Sequence, residues 1–192
     1  MFTTRRTLLQ KLNMGSQVAW NDFDKTYRKL ILLRGRDRGL HPDELDDLIQ
    51  MVLINIFKQN SIFKYDGSKG RFRDYLKTII DRRSFDLIRK RKNALESLNA
   101  LGDKGIVLSS DDHENAEKHW EEEWQKHLLE QAIEYVSAEV QPQTITIFRL
   151  LTQEHMTPEE VAEKLEINVD AVYVVKHRMM KRIKPVLKQL DT

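Results

Sequence analysis

The chain has 192 residues, of which 40% are hydrophobic and 32% charged, with a net charge of +2 and no cysteine. This supports one medium domain or two small ones and excludes a disulfide framework, a thiolate metal site and a cysteine nucleophile. The longest apolar runs are a few residues, such as Leu30 to Leu33, and the N-terminal MFTTRRTLLQKLNMG lacks the apolar core of a signal peptide, so a soluble cytoplasmic chain without a membrane span is expected. The distribution of charge says more than its sum. Residues 1–95 are net +10, residues 96–130 net −7 and residues 131–192 net −1.

In chain order, Trp20, Phe23, Tyr27, Leu30 and Ile31 recur at spacings of three and four and predict an amphipathic helix. Pro42 suits the first turn of a second helix, where Asp43 and Glu44 favour the positive end of its dipole. Its apolar stripe is Leu45, Leu48, Ile49, Val52 and Ile56. A loop is expected from Gln59 to Gly70. A long helix follows from about Arg71, with Phe72, Tyr75, Leu76, Ile79 and Leu87 facing inward and Phe85 assigned to the same core. The stretch Lys64 to Lys92 holds eleven Lys or Arg against four Asp, with Tyr65, Phe72, Tyr75 and Phe85 threaded through them. So lopsided a surface suits phosphates better than bulk water.

From Asn93 to about Ala116 the helical pattern fails, and Gly102, Gly105, Ser109, Ser110 and a run of acids predict a linker. Helical spacing resumes at Trp120, Trp124, Leu128, Ala132 and Val136, breaks near Pro142 and continues through Ile145, Phe148 and Leu151. Trp120 and Trp124 are expected to anchor the start of this second module. The stretch 157–182, TPEEVAEKLEINVDAVYVVKHRMMKR, predicts a helix-turn-helix. Thr157, Pro158 and Glu160 make a capping box, small Ala162 allows close helix approach, and Asn168 caps a second helix. That helix carries Lys176, Arg178, Lys181, Arg182 and Lys184 against Asp170 alone, whereas residues 157–166 are net −3. The split fits a supporting helix followed by a recognition helix in a DNA major groove, although helical hairpins of other kinds share the apolar spacing. Glu166 stands where such turns favour Gly, which implies strain at positive φ. His113, His119 and His127 lack the spacing of a helical metal pair, so no metal or cofactor is expected.

Together these motifs resemble, in order and spacing, the bacterial RNA polymerase sigma factors of the extracytoplasmic-function (ECF) group of the sigma-70 family. DELDDLIQMVLINIF (43–57) resembles the polymerase-binding helix of region 2, YDGSKGRFRDYLKTIIDRRSFDLIRKRK (65–92) the loop and helix that open and hold the promoter −10 element, and the last seventy or so residues region 4, which reads the −35 element. AVYVVKHRMMKRI is similar to the recognition-helix ending of a planctomycete-type ECF subgroup. The resemblance implies an all-α fold: a region 2 helical bundle over 1–95, a flexible acidic linker over 96–119, and a region 4 helix-turn-helix domain over 120–192.

It also implies roles. Asp46, Asp47 and Gln50 would dock on a coiled coil of the polymerase largest subunit; without the resemblance the same acids read instead as a solvated face at a helix N-terminus. The loop around Tyr65 to Arg71 would capture a flipped −10 base, with Tyr65 the stacking candidate; Lys69, Arg71 and Arg73 would meet the strand backbone, and Arg82, Arg83, Arg89, Lys90 and Arg91 would contact phosphates farther along. Relatives carry Arg-Asn where this chain has Asp81-Arg82, which removes the polar contact usually assigned to that Asn. On the recognition helix, Asp170, Ala171, Tyr173, Lys176, His177, Arg178 and Lys181 would face the −35 element, Arg178 reading guanine or binding phosphate. Relatives have Arg at the positions of Tyr173 and Val175, so a different −35 sequence or a weaker contact there is expected. Core RNA polymerase and promoter DNA are the implied partners, with an anti-sigma factor as a further one. The opposite charges of the basic module and the acidic connector favour their association in the free protein.

Two other functions compete. A dimeric helix-turn-helix regulator explains 157–182 but leaves 43–92 without a role, and no heptad seam supplies its interface. A magnesium nuclease built on Asp43, Asp46 and Asp47 uses acids that dipole and docking already explain. A sigma factor binds and directs; it catalyses nothing.

Overall fold

The computed structural model describes residues 17–57, 70–98 and 110–191, and every regular element among them is helical. They form α1 (Gln17–Asp37), α2 (Pro42–Phe57), α3 (Phe72–Leu98), α4 (Ser110–Ser137), α5 (Pro142–Thr152), α6 (Pro158–Leu165) and α7 (Val169–Leu190). The chain divides into two compact units, and the division falls inside α4, after Trp124.

In the first unit α1, α2 and α3 pack pairwise. The stripes expected from spacing close the core: Phe23, Leu30 and Ile31 from α1, Leu48, Ile49 and Val52 from α2, and Phe72, Leu76, Ile79 and Leu87 from α3 are all buried, joined by Ile80. Phe23, Tyr27 and Phe72 form an aromatic cluster with ring centroids 4.7 to 6.4 Å apart. The turn between α1 and α2 uses Gly39 at φ 81°, where a glycine avoids the Cβ penalty. Leu40 then donates its N–H back to the Gly35 carbonyl at 3.1 Å and buries its side chain. Glu44 accepts the His41 N–H at 2.8 Å, which satisfies one of the open donors at the start of α2.

Two expectations change here. Phe85 is not in the core: its side chain is 49% exposed. The buried row of α3 runs Phe72, Leu76, Ile80, Ser84 and Leu87, and Phe85 stands one residue, about 100°, off that row. The acidic stretch is helix from Ser110 onward, and its first half belongs to the first unit. Trp120 and Trp124 accordingly anchor α4 to the first unit, not to the start of the second. Trp124 stacks on Tyr27 with centroids 6.3 Å apart and planes 13° from parallel, and the Arg34 guanidinium lies over Trp120 at 5.8 Å. Residues 99–109 of the expected linker lie outside the described residues.

In the second unit, Ala132, Ile133 and Val136 of α4 pack with Ile145 and Phe148 of α5 and Met179 and Ile183 of α7. A second cluster joins Ile147 and Leu150 of α5 to Val161 and Ala162 of α6 and Val172 of α7. The capping box is complete: Thr157 Oγ1 accepts the Glu160 N–H at 3.2 Å and Glu160 accepts the Thr157 N–H at 2.7 Å. Glu166 ends α6 in the left-handed region at φ 52°, and the Ile167 N–H reaches the Ala162 carbonyl at 3.0 Å. Asn168 then caps α7 by accepting the Asp170 N–H at 2.8 Å.

Candidate nucleic-acid interface

The electrostatic centre of the first unit is a cluster the sequence did not advertise. Arg34, with no exposed surface, and Arg38, 5% exposed, sit one turn apart on α1 and converge on Asp81 of α3. Asp81 accepts from Arg34 Nε and Nη2 at 2.8 and 2.9 Å and from Arg38 Nε and Nη2 at 2.8 and 2.7 Å. From α4, Glu117 accepts from Arg34, from Arg38 at 3.2 Å and from Lys77 at 2.7 Å, while the Ala116 carbonyl accepts Arg34 Nη1 at 2.8 Å. Burial opposes the charged form of Asp81, but the hydrogen bonds from Arg38 and Arg34 outweigh it and hold the carboxyl below its usual range. Glu117 shifts the same way: burial works against its charge, and Lys77 and Arg34 overcome that. The departure at Asp81 is thus a structural acid, not a strand contact. A signal was available, because Arg34 and Arg38 continue the buried stripe Phe23, Tyr27, Leu30 and Ile31 at the same spacing.

α4 also closes on the basic helix. Arg73, only 9% exposed, is held by Asp74 at 3.2 Å and by Glu121. Asp37 of α1 lies 3.0 Å from His119 Nδ1. The acidic run and the basic module therefore do associate, through Glu117 and Glu121.

The residues expected to meet a −10 strand separate into groups. Tyr65 and Lys69 lie outside the described residues. Arg82 and Lys90 are exposed, Arg71 is exposed beside Asp74 at 3.3 Å, and Arg89 is exposed beside Asp86 at 3.1 Å. Arg83 is half-buried against Asp86 at 2.9 Å. Arg73 and Arg91 are drawn inward instead; Arg91 donates to Glu44 at 2.7 Å and to the Gly39 carbonyl at 3.3 Å, which ties α3 to the α1–α2 turn. Enclosure by carboxylates leaves these two little to offer a phosphate.

Asp46, Asp47 and Gln50 are exposed on α2. Asp46 and Gln50, with Trp20, Asn21, Asp24 and Arg28 of α1, line a shallow groove in which Arg28 bridges Asp24 at 3.2 Å and Asp46 at 3.3 Å. An exposed bridge of this kind contributes little stability, so both acids stay available to a basic partner.

On α7, Asp170, Ala171, Tyr173, Lys176, His177, Arg178 and Lys181 are all exposed, opposite the buried Val172, Met179 and Ile183. Tyr173 donates to Glu159 of α6 at 3.0 Å, a bond that raises the phenol's pKa. Val175 packs, partly buried, against both clusters of the unit. Among the described residues no group of three His, Asp or Glu gathers as a metal site, and no helix is long and apolar enough to cross a membrane.

This arrangement, a three-helix unit with a cationic face and an acid-lined groove, has a counterpart among known families. Residues 25–94 match the family model of sigma-70 region 2. One similar solved structure is that of CnrH in complex with the cytosolic domain of CnrY; the similarity covers 95% of this chain and 96% of that one, at 15% identity and a TM-score of 0.37. A likeness that low carries no argument about function. No curated protein matches.

Proposed function

We propose that the protein is an ECF-type sigma factor that binds core RNA polymerase, recognises promoter −10 and −35 elements and directs transcription initiation without catalysing a reaction. The observation that carries this reading is the match of residues 25–94 to sigma-70 region 2. In this reading the α1–α2 groove lined by Asp46 and Gln50, together with the exposed Asp47, docks on a basic-faced coiled coil of the polymerase largest subunit. Arg71, Arg82, Arg89 and Lys90 follow the backbone of the opened −10 strand, with Arg83 alongside and Tyr65 and Lys69 preceding them in the chain. Helices α6 and α7 act as a region 4 helix-turn-helix, and Asp170, Ala171, Tyr173, Lys176, His177, Arg178 and Lys181 face the −35 duplex. The exposed cationic face of α7 and its capped, tightly turned start support that role. The AVYVVKHR ending supports the planctomycete-type subgroup, and the family resemblance adds an anti-sigma factor as a further partner.

Transcription in vitro with core polymerase on a promoter library tests the whole reading: a defined set of start sites that depends on the protein is expected, and none refutes it. Reversing Asp46 and Asp47 to Lys tests the docking surface. Core-enzyme affinity should fall, and unchanged affinity removes this surface from the assignment.

A further inference from the structure

Helix α7 presents an apolar side chain where water alone would favour a polar one. Val174 leaves 46% of its surface in solvent, beside Tyr173 at 48%. Its neighbours one helical turn away are Asp170, Ala171, His177 and Arg178, all exposed. Val174 therefore stands on the outward face of α7, turned from the buried Val172, Met179 and Ile183. A β-branched residue is also a poorer helix former than alanine, so neither packing nor propensity accounts for it. Tyr173 beside it is tied down: its hydroxyl donates to Glu159 of α6 at 3.0 Å. That bond spends the tyrosine's donor within the protein, and what the two side chains offer a ligand is an aromatic ring and an isopropyl group.

We infer that Val174 is a base-reading residue of α7 that takes the 5-methyl group of a thymine in the duplex major groove. That methyl is the apolar feature a base pair displays there, and small apolar side chains recognise it by contact. The helix carries Lys176, Arg178, Lys181, Arg182 and Lys184 against Asp170 alone, which draws a phosphate backbone toward the same face. An apolar protein partner seated on Val174 would have to desolvate Arg178 one turn away, so charge complementarity favours the polyanion. The inference rests on the reading of α6 and α7 as a duplex-binding helix-turn-helix and adds the residue that makes the −35 element depend on a thymine.

The test uses the full chain, free and bound to core polymerase, to select duplexes from a library randomised over the −35 region. Each thymine of the selected element is then replaced by deoxyuridine, which removes the methyl and leaves every hydrogen-bonding group in place. At one position the deoxyuridine duplex should bind about fourfold more weakly, the worth of one buried methyl group. Val174→Ser should bind the two duplexes alike, whereas Val174→Thr, which keeps one methyl, should still discriminate by about twofold. The position is exposed, and thermal melts of both variants check the fold. The inference is overturned if every deoxyuridine duplex binds like its thymine parent, if Val174→Ser keeps the discrimination, or if Val174→Thr loses it. A selected element indifferent to its methyl groups, in a chain that still directs transcripts with core polymerase, overturns this inference alone. Methyl discrimination that depends on Val174, in a chain that does not associate with core polymerase, refutes the proposed function and leaves the inference standing. A chain that selects no duplex in either form refutes both.

Discussion

Replacing Asp81 by Asn tests what holds the first unit together. Asp81 takes four hydrogen bonds from two guanidinium groups that are 0% and 5% exposed. An Asn side chain keeps one acceptor oxygen and turns an N–H₂ toward donors, so two bonds are lost and two buried cations keep Glu117 as their acidic partner. Removing one member of a buried ion pair costs about 3–5 kcal/mol. Asp81 is 19% exposed and Glu117 remains, so the expected loss is about 2–4 kcal/mol. All three tryptophans, Trp20, Trp120 and Trp124, lie in the first unit, so their fluorescence in urea reads that unit alone. At a denaturant slope of about 2 kcal/mol per molar, the midpoint should fall by about 1–2 M. Glu117→Gln should cost less, because that carboxylate is 46% exposed. A midpoint shift below about 0.3 M for Asp81→Asn would mean the cluster is worth no more than a surface pair, and the reasoning would fail.

The same cluster sets a pH dependence: Asp81 and Glu117 have depressed pKa values in the folded chain, so their contribution is complete above the ordinary carboxylate range, about pH 4, and is lost as pH falls through the folded values. Acid titration followed by tryptophan fluorescence should show this limb in the wild type and a shallower one in Asp81→Asn. Gly35→Ala should destabilise by about 1 kcal/mol despite alanine's better helix propensity, because the new Cβ would come within 2.6 Å of Leu48 Cδ2 and 2.9 Å of Leu45 Cδ2, both in the core; urea midpoints decide the sign. In the second unit, Glu166→Gly should stabilise by about 0.5–1 kcal/mol by relieving a left-handed residue, and Thr157→Ala should cost about 1 kcal/mol by breaking the capping box, both read by calorimetry. In strand binding with core polymerase, Arg82→Gln should lower the salt slope by about 0.7, whereas Arg73→Gln, already neutralised by Asp74 and Glu121, should leave it nearly unchanged.

The amphipathic stripes, the α6 capping box, the strained turn at Glu166 and the cap at Asn168 were all legible beforehand, because each depends on residues within one or two turns of each other. The matched region 2 lies where the motifs of residues 43–92 indicated. What misled was fine phase along a long helix. Phe72 and Phe85 both sit on α3 amid charge, yet a difference of one residue in phase buries the first and leaves the second open. The seat of Trp120 and Trp124 is hidden in the sequence for another reason: a helix such as α4 shows which of its faces is apolar but not which neighbour covers it.

Charge and periodicity alone determined the helices of the described residues, a basic first module, an acidic stretch after it and two capped helices joined by a tight turn near the end, because these follow from local spacing and net charge. Only the tertiary structure decided which cations remain available. Arg34, Arg38, Arg73 and Arg91 are consumed by Asp81, Glu117, Glu121 and Glu44, carboxylates 43 or more residues away in the chain, while Arg82 and Arg89 stay on the surface. A guanidinium's identity says that it will seek an anion; whether that anion is a carboxylate of the same chain or the phosphate of a strand depends on what folding brings beside it.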